Sequence, residues 1–268
     1  MATRATASAD ALGRLDPCAK TVSAANEAVC AESLLRGFVG RAWRRPLDAA
    51  EVVELTTLWR QLRTQGTFAE AVAGTVEAVL LAPDFLYRLE WGTGEPVADG
   101  VRALAPHELA TRLSFLVWAS MPDDLLRTAA EKGELATAAG LDRQANRLLA
   151  DPRARAQTRF FFDNLLPVSG LGDLERDPKA FPTFSHTIGS LMREETQRFL
   201  EDAVYERAMG WPDVLTAPHT FLNESLAKYY GMTGVAGSEF RLVDVDGTQR
   251  LGLLTQGGIM AGTTHSST

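Results

Sequence analysis

The stretch Asp48-Ala-Ala-Glu-Val-Val-Glu-Leu-Thr-Thr-Leu-Trp-Arg-Gln-Leu62 decides the fold class of this chain. Asp48 followed three residues later by Glu51 is the capping-box signature of a helix start. The apolar side chains after it recur every three or four residues, as they do in an amphipathic helix. These side chains are Val52, Val53, Leu55, Leu58, Trp59 and Leu62. Gly66 ends the segment and Thr67-Phe-Ala-Glu70 repeats the start signal, so the sequence predicts successive antiparallel helices.

The same helical period continues on both sides of this stretch. Residues 31–91 are predicted to form a small helical module and, after a linker rich in Gly and Pro at 91–100, residues 92–235 a larger one. Within the larger module, three consecutive phenylalanines at Phe160–Phe162 predict a central helix that is buried on more than one side. The predicted fold class is mostly α, with two consecutive helical-bundle units.

The two ends of the chain have a different character. Residues 1–30 are alanine-rich and weakly patterned, which indicates a tail or the remnant of an upstream domain. Residues 236–268 are predicted to be the incomplete start of a further module with a short β-hairpin. Two strand-like runs are predicted, 240–247 and 250–259, and the first of them ends in the turn signal Asp246-Gly247. Because an isolated hairpin is marginal in water, this end indicates a fragment of a multidomain protein.

Composition excludes two classes of partner. The chain has 34 Asp and Glu against 27 Lys and Arg, a balance that argues against a nucleic-acid surface. No apolar run approaches the roughly 20 residues that a membrane-spanning helix needs. The first residues lack the apolar segment of a secretory signal peptide.

The two cysteines, Cys18 and Cys30, leave two interpretations open. They are either free thiols or a structural disulfide, which would stabilise the fold by about 3 kcal/mol in an oxidising compartment. No further Cys or His stands at metal-ligand spacing beside them, so we predict no metal site.

The histidines offer little support for catalysis. His107 and Glu108 are adjacent, so their side chains point about 100° apart on a helix. His186 precedes Glu194 by eight residues, about 12 Å of helical rise, which prevents both from binding one ion directly. Glu194 and Glu195 are interpreted as a charged helix face, with Arg198 placed to pair with Glu194.

The sequence lacks the hydrolase motif Gly-x-Ser-x-Gly, the nucleotide-binding motifs Gly-x-Gly-x-x-Gly and the P-loop, the metal motifs His-Glu-x-x-His and Glu-x-x-His, and the haem-attachment motif Cys-x-x-Cys-His. We therefore assign no catalytic residue, no cofactor and no cofactor-binding residue. Whether the chain is an enzyme is left undecided, with the balance against it.

Several segments together resemble a family of large exported bacterial proteins of unknown function, the planctomycete-type secreted domains that occur alongside cytochrome-c-like domains. Residues 38–47 and 82–88 resemble one helical module of that family. Residues 108–123, 149–153, 192–196 and 220–231 resemble the module that follows it. Residues 250–256 resemble the opening of a third module, although Leu251 stands where the family has glycine.

The resemblance implies context rather than chemistry. It implies an extracytoplasmic parent protein (periplasmic, cell-surface or secreted), and thereby favours the Cys18–Cys30 disulfide. It also implies other domains of the same parent as partners, and a cytochrome-c-like protein as a further candidate. No established activity accompanies these modules, so no functional residue is carried over.

Two main functional hypotheses follow, and a third, a cytosolic regulatory protein, would require Cys18 and Cys30 to be free and far apart. The first is a non-catalytic helical module that serves in binding or scaffolding within a larger exported protein. The alternative is part of a redox or hydrolytic enzyme complex whose active site needs a C-terminal domain or a cytochrome-like partner. A pocket that brings together His107, His186 and Glu194 or Glu195 would favour the alternative.

Overall fold

The computed structural model describes residues 8–93, 98 and 100–264, which form thirteen α-helices and one two-stranded sheet. The mostly helical fold class is confirmed. The chain divides into two compact units, Met1–Ala150 and Asp151–Thr268. The predicted boundaries after residues 30, 91 and 235 concern sequence modules and stay predictions.

The first unit contains eight α-helices within its described residues. They are α1 (Ala9–Leu15), α2 (Glu27–Ala42), α3 (Ala49–Arg63), α4 (Phe68–Leu81), α5 (Pro83–Leu86), α6 (Pro106–Trp118), α7 (Asp124–Glu131) and α8 (Ala138–Leu149). Short 3-10 helices lie at Pro17–Thr21 and Glu134–Ala136. The capping boxes of α3 and α4 are both formed as the sequence predicts.

The core of the first unit is an apolar cluster between α2, α3 and α4. Leu34, Val39, Val72 and Val76 are at most 1% exposed, and Trp59 packs edge-on against Phe68. Val53, which the sequence placed on the buried face of α3, is 64% exposed. It lies next to Val52 on the helix, about 100° further round, where the apolar face has already ended.

The described part of the N-terminal segment packs on this core. Leu12 of α1 and Ala19 of the following 3-10 helix are buried. Cys18 forms a disulfide with Cys30 of α2, which ties the segment to the bundle.

The helices α6, α7 and α8 enclose Trp118 and Leu126. Leu126 is fully buried, and the indole N–H of Trp118 donates to the carbonyl oxygen of Leu148 over 2.9 Å. Asp123 caps α7 and receives a two-pronged ion pair from Arg147 of α8. These contacts hold the end of α6 and the start of α7 against the end of α8.

The second unit contains the remaining five α-helices and both strands. They are α9 (Pro152–Leu165), α10 (His186–Glu201), α11 (Trp211–Thr216), β1 (His219–Leu222), α12 (Glu224–Tyr229), β2 (Arg241–Asp244) and α13 (Gly257–Thr263). Short 3-10 helices lie at Leu171–Asp173 and Leu253–Thr255. One turn of π-helix, Asp202–Glu206, extends α10.

The antiparallel pair of strands near the C-terminus is confirmed, but the predicted partner of Arg241–Asp244 is wrong. This strand pairs with β1, with Phe221 opposite Leu242. Residues 250–259 are not a strand; they form a 3-10 turn and the start of α13. Their buried side chains Leu253, Gln256 and Ile259 follow each other at intervals of three, which suits a helix and not a strand.

The core of the second unit surrounds α10. Met192, Phe199 and Leu200 of that helix pack with side chains of β1, α12 and α13. The prediction that Phe160 and Phe161 are buried is wrong, because they are 62% and 55% exposed; only Phe162 packs against the core. The central helix of this unit is therefore α10 rather than α9.

Candidate functional site

A cleft of about 350 Å³ opens in the first unit, a size within the range of small-ligand sites. Three segments line it: the turn between α2 and α3, the residues from α5 to Trp91, and the first turns of α6. The accessible lining is mainly apolar and includes Trp43, Leu89 and Trp91.

Arg44 forms the inner wall of this cleft. It is 7% exposed and adopts a left-handed backbone conformation (φ 61°), which costs a residue with a side chain about 1–2 kcal/mol. Its guanidinium group donates to the carbonyl oxygens of Ala42 (3.0 Å), Asp84 and Tyr87 (2.7 Å). Burial lowers the pKa of Arg44 from its ordinary value. The side chain therefore joins the end of α2 to α5 as a structural cross-link.

Arg45 makes the second cross-link, and it does so with carboxylates. It forms a two-pronged pair with Glu51 of α3 (2.9 and 2.7 Å) and contacts Asp84 of α5 at 2.7 Å. The hydrogen bond to Glu51 is the main cause that raises the pKa of Arg45, and the same bond lowers the pKa of Glu51. The guanidinium carbon also lies 5.5 Å from the ring centre of Trp43.

Glu108, in the first turn of α6, fixes the rim. Its carboxylate accepts hydrogen bonds from the backbone N–H groups of Ala105 (2.8 Å), Trp91 (2.7 Å) and Gly92 (3.1 Å). A second tie comes from Arg112, which is ion-paired with Glu90. The backbone of Trp91 is thus held against α6, while its side chain is 73% exposed.

His107 contributes a neutral polar group to the cleft. Its Nδ1 atom is buried and has no hydrogen-bond partner within the described part of the chain. Burial lowers the pKa of His107 below its ordinary value, so the imidazole is uncharged at neutral pH.

A second cavity of about 480 Å³ lies between α3 and α4 and shares two lining residues, Trp43 and Glu51, with the first. Trp43 and Glu51 therefore border both spaces.

A different polar group lies inside the second unit. Glu195 of α10 is 1% exposed and accepts hydrogen bonds from the hydroxyl groups of Thr220 (2.7 Å) and Tyr230 (2.6 Å). Burial raises the pKa of Glu195 to about 7, and these hydrogen bonds and Arg250 oppose that rise. Gln256 donates to Thr220 over 3.4 Å, and the guanidinium carbon of Arg250 lies 3.8 Å from the ring centre of Tyr230.

The space beside Glu195 is about 10 Å³, room for about one water molecule and too small for a substrate. Two buried atoms of residues that line this space, Nε2 of His219 and Oε1 of Gln256, make no hydrogen bond within the described residues, and Nε2 of His219 lies 3.4 Å from the Asp202 carboxylate. This cluster is therefore a buried polar network in the core and not an open site.

Two models of known families match segments that contain most of these residues. Residues 30–90 match the family described as PSD5: Protein of unknown function (DUF1595), and residues 104–232 match PSD4: Protein of unknown function (DUF1592). The two matches follow each other along the chain. They are the planctomycete-type cytochrome-c-associated domains that the sequence resembles. No curated protein and no solved structure matches the chain.

The cleft combines residues of both matched segments. Trp43, Arg45 and Asp84 lie in the segment that matches PSD5, whereas His107 and Glu108 lie in the segment that matches PSD4. The buried network likewise extends past the PSD4 match, because Arg250 and Gln256 follow residue 232.

The residues that the sequence singled out for acid–base chemistry lie in different surroundings. His107 lines the cleft of the first unit, while His186 in the second unit is exposed with its Nδ1 atom 3.0 Å from the carbonyl oxygen of Gly172. Glu194 pairs with Arg198 at 2.7 Å as predicted. The prediction that Glu195 shares this charged face is wrong, because it is buried.

The described residues contain neither a metal-binding cluster nor a membrane-spanning helix. No group of three or more His, Cys, Asp or Glu in 8–93, 98 and 100–264 could hold a metal ion. Within the same ranges, no helix is both long and apolar enough to cross a bilayer.

Sequence reasoning missed Trp91, which it treated as the start of a linker, and the network around Glu195. A signal for Glu195 was present. It stands three residues after Met192 and four before Phe199, so it falls on the apolar stripe of α10.

Proposed function

We propose that this chain is a non-catalytic helical binding module of a larger exported bacterial protein, and that the cleft of the first unit is its binding site. The proposal depends on one observation: the carboxylates of Asp48, Glu51 and Glu108 are already bound to backbone groups or to an arginine of the protein itself. Asp48 caps α3, Glu51 completes that cap and pairs with Arg45, and Glu108 holds three backbone N–H groups.

Carboxylates occupied in this way are poorly suited to acid–base catalysis, because proton transfer at any of them would release the backbone that it holds. They are well suited to a rigid receptor, since a preformed site loses less entropy when it binds. The location outside the cytoplasm is supported by the Cys18–Cys30 disulfide, a bond that persists in oxidising compartments. Other domains of the parent protein are the proposed covalent partners.

The test is co-sedimentation of the full chain with an isolated bacterial cell-envelope preparation. Three proteins are compared: wild type, Trp91→Ala, and Trp211→Ala as the control. Trp211 is a 56% exposed tryptophan of the second unit. We expect saturable binding that Trp91→Ala weakens and Trp211→Ala does not, with the envelope material recovered chemically unchanged.

Two outcomes would overturn the proposal. Release of hydrolysed or oxidised products would identify an enzyme, and equal binding by all three proteins would place the site elsewhere. A parallel titration with oxidised cytochrome c covers the redox alternative. A change in its visible spectrum on mixing would favour a redox complex over a binding module.

A further inference from the structure

Trp91 is the most exposed of the five tryptophans, at 73%, and it lines a cleft whose backbone is fixed on both sides. An indole that the backbone holds in water leaves its apolar surface unburied in the free protein. That surface becomes useful when a ligand with an apolar face covers it. We propose that the cleft binds a neutral polysaccharide, whose sugar rings stack on its tryptophans; this inference rests on the proposed binding function.

The charges of the cleft point to a neutral ligand. Its ionised lining groups are three arginines and four carboxylates, with His107 uncharged. The arginines are Arg44, Arg45 and Arg88, and the carboxylates are Asp48, Glu51, Asp84 and Glu108. A nucleic acid or other polyanion requires an excess of cations, which this set does not have. A cationic ligand would have to compete with Arg45 for the carboxylates of Glu51 and Asp84.

A pyranose matches the remaining features. Its C–H face is apolar and carries slight positive charge, so it complements the negative face of an indole ring. Its hydroxyl groups both donate and accept hydrogen bonds, and the lining supplies partners of each kind close to the aromatic surface. The carboxylates of Asp48 and Asp84 accept, and the guanidinium of Arg88, which is exposed and lies over Phe115, donates.

The shape of the site points to a chain of sugars rather than a single one. The cavities of about 350 and 480 Å³ adjoin at Trp43, which lines both. An extended ligand can place one unit in the cleft beside Trp91 and further units in the second space, which α3 and α4 line. A small, compact ligand would use only one of the two spaces.

The rigidity of the rim supports the same ligand class. The Glu108 carboxylate holds the amides of Trp91 and Gly92, and the Glu90–Arg112 pair fixes the preceding residue. Because the backbone of Trp91 is already in place, stacking of a sugar ring requires less ordering of the protein. The weak binding contributions of successive sugar units of the ligand can then add up.

The experiment is isothermal titration of the full chain with cellohexaose, mannohexaose, xylohexaose and the neutral polysaccharide fraction of the cell envelope. Polygalacturonate is the acidic comparison. We expect at least one neutral probe to bind and to remain unchanged in length. Trp91→Ala should weaken that binding about tenfold or more, Trp91→Phe should restore part of it, and Trp211→Ala should leave it as in wild type.

The outcomes separate this inference from the proposed function. If envelope binding depends on Trp91 but no neutral glycan binds, the cleft is a receptor for another class, such as a peptide, and the sugar inference is wrong. Salt-sensitive binding of polygalacturonate alone would identify an anion site and also overturn it. If Trp91→Ala changes neither envelope binding nor glycan binding, both proposals fail.

Discussion

Glu195 should make the stability of the second unit depend on pH in a direction opposite to that of an ion-paired carboxylate. Burial raises its pKa from 4.5 to about 7 in the folded protein. Between these values the folded state keeps a proton that the unfolded state releases, so stability falls as the pH rises. Below about pH 4.5 the contribution is fully present, and above about pH 7 it is lost.

The magnitude follows from the same two values. A difference of 2.5 pKa units between 4.5 and 7 corresponds to about 3 kcal/mol, at about 1.4 kcal/mol per unit. No ion pair offsets this within the described residues, because the groups that face the carboxylate are hydroxyls of Thr220 and Tyr230 and the more distant Arg250. His219 of β1 lines the same small space.

The perturbation is Glu195→Gln, which retains the shape and removes the titration. We expect its free energy of unfolding, relative to wild type, to rise by about 3 kcal/mol between pH 4.5 and pH 8. Glu194→Gln is the control, since it removes the neighbouring surface carboxylate that pairs with Arg198. Urea unfolding read by pulsed hydrogen exchange in peptides of α10 measures the second unit separately.

Two results would refute this reasoning. A difference between Glu195→Gln and wild type that stays constant from pH 4.5 to pH 8 would mean that Glu195 does not titrate in this range. A comparable rise for Glu194→Gln would mean that net charge, and not burial, causes the effect.

Three further predictions concern the first unit. Reduction of the Cys18–Cys30 disulfide should lower the free energy of unfolding by about 3 kcal/mol in urea titrations, given a loop of about a dozen residues, whereas no change would show that the segment gains nothing from the cross-link. Leu126→Ala should cost about 2–5 kcal/mol in the same assay because Leu126 is fully buried, and a loss below about 1 kcal/mol would contradict this packing. Glu108→Ala should cost about 2 kcal/mol and speed amide exchange at Trp91 and Gly92, while unchanged exchange there would contradict its role as their acceptor.

The helices could be predicted from the sequence because their signals are local. The Asp48–Glu51 and Thr67–Glu70 capping boxes each lie within four residues, and both form as expected. The pairing of β2 could not be read in the same way. Its turn signal at Asp246-Gly247 is local, but its partner β1 lies on the far side of α12 and is selected by packing.

The candidate site was harder to predict because it depends on contacts between distant residues. Glu108 reaches the amide of Trp91, seventeen positions earlier, and Arg44 reaches carbonyl groups about forty positions later. In the sequence, Trp91 is simply the first residue of a Gly- and Pro-rich stretch. The anchoring by Glu108 turns it from a linker residue into one whose backbone is fixed and whose indole is exposed at the cleft.

Both polar sites extend beyond a single matched segment. The segment that matches PSD5 supplies Trp43 and Arg45 to the cleft, whereas Glu108, which holds the backbone of Trp91 at the rim, lies in the segment that matches PSD4. In the second unit, Glu195 lies in the PSD4 match, and Arg250 and Gln256, which line the small space beside it, follow residue 232. Loss of these contacts should free the backbone of Trp91 in the first case and admit water to Glu195 in the second, because each is held by a hydrogen-bonding group distant in sequence.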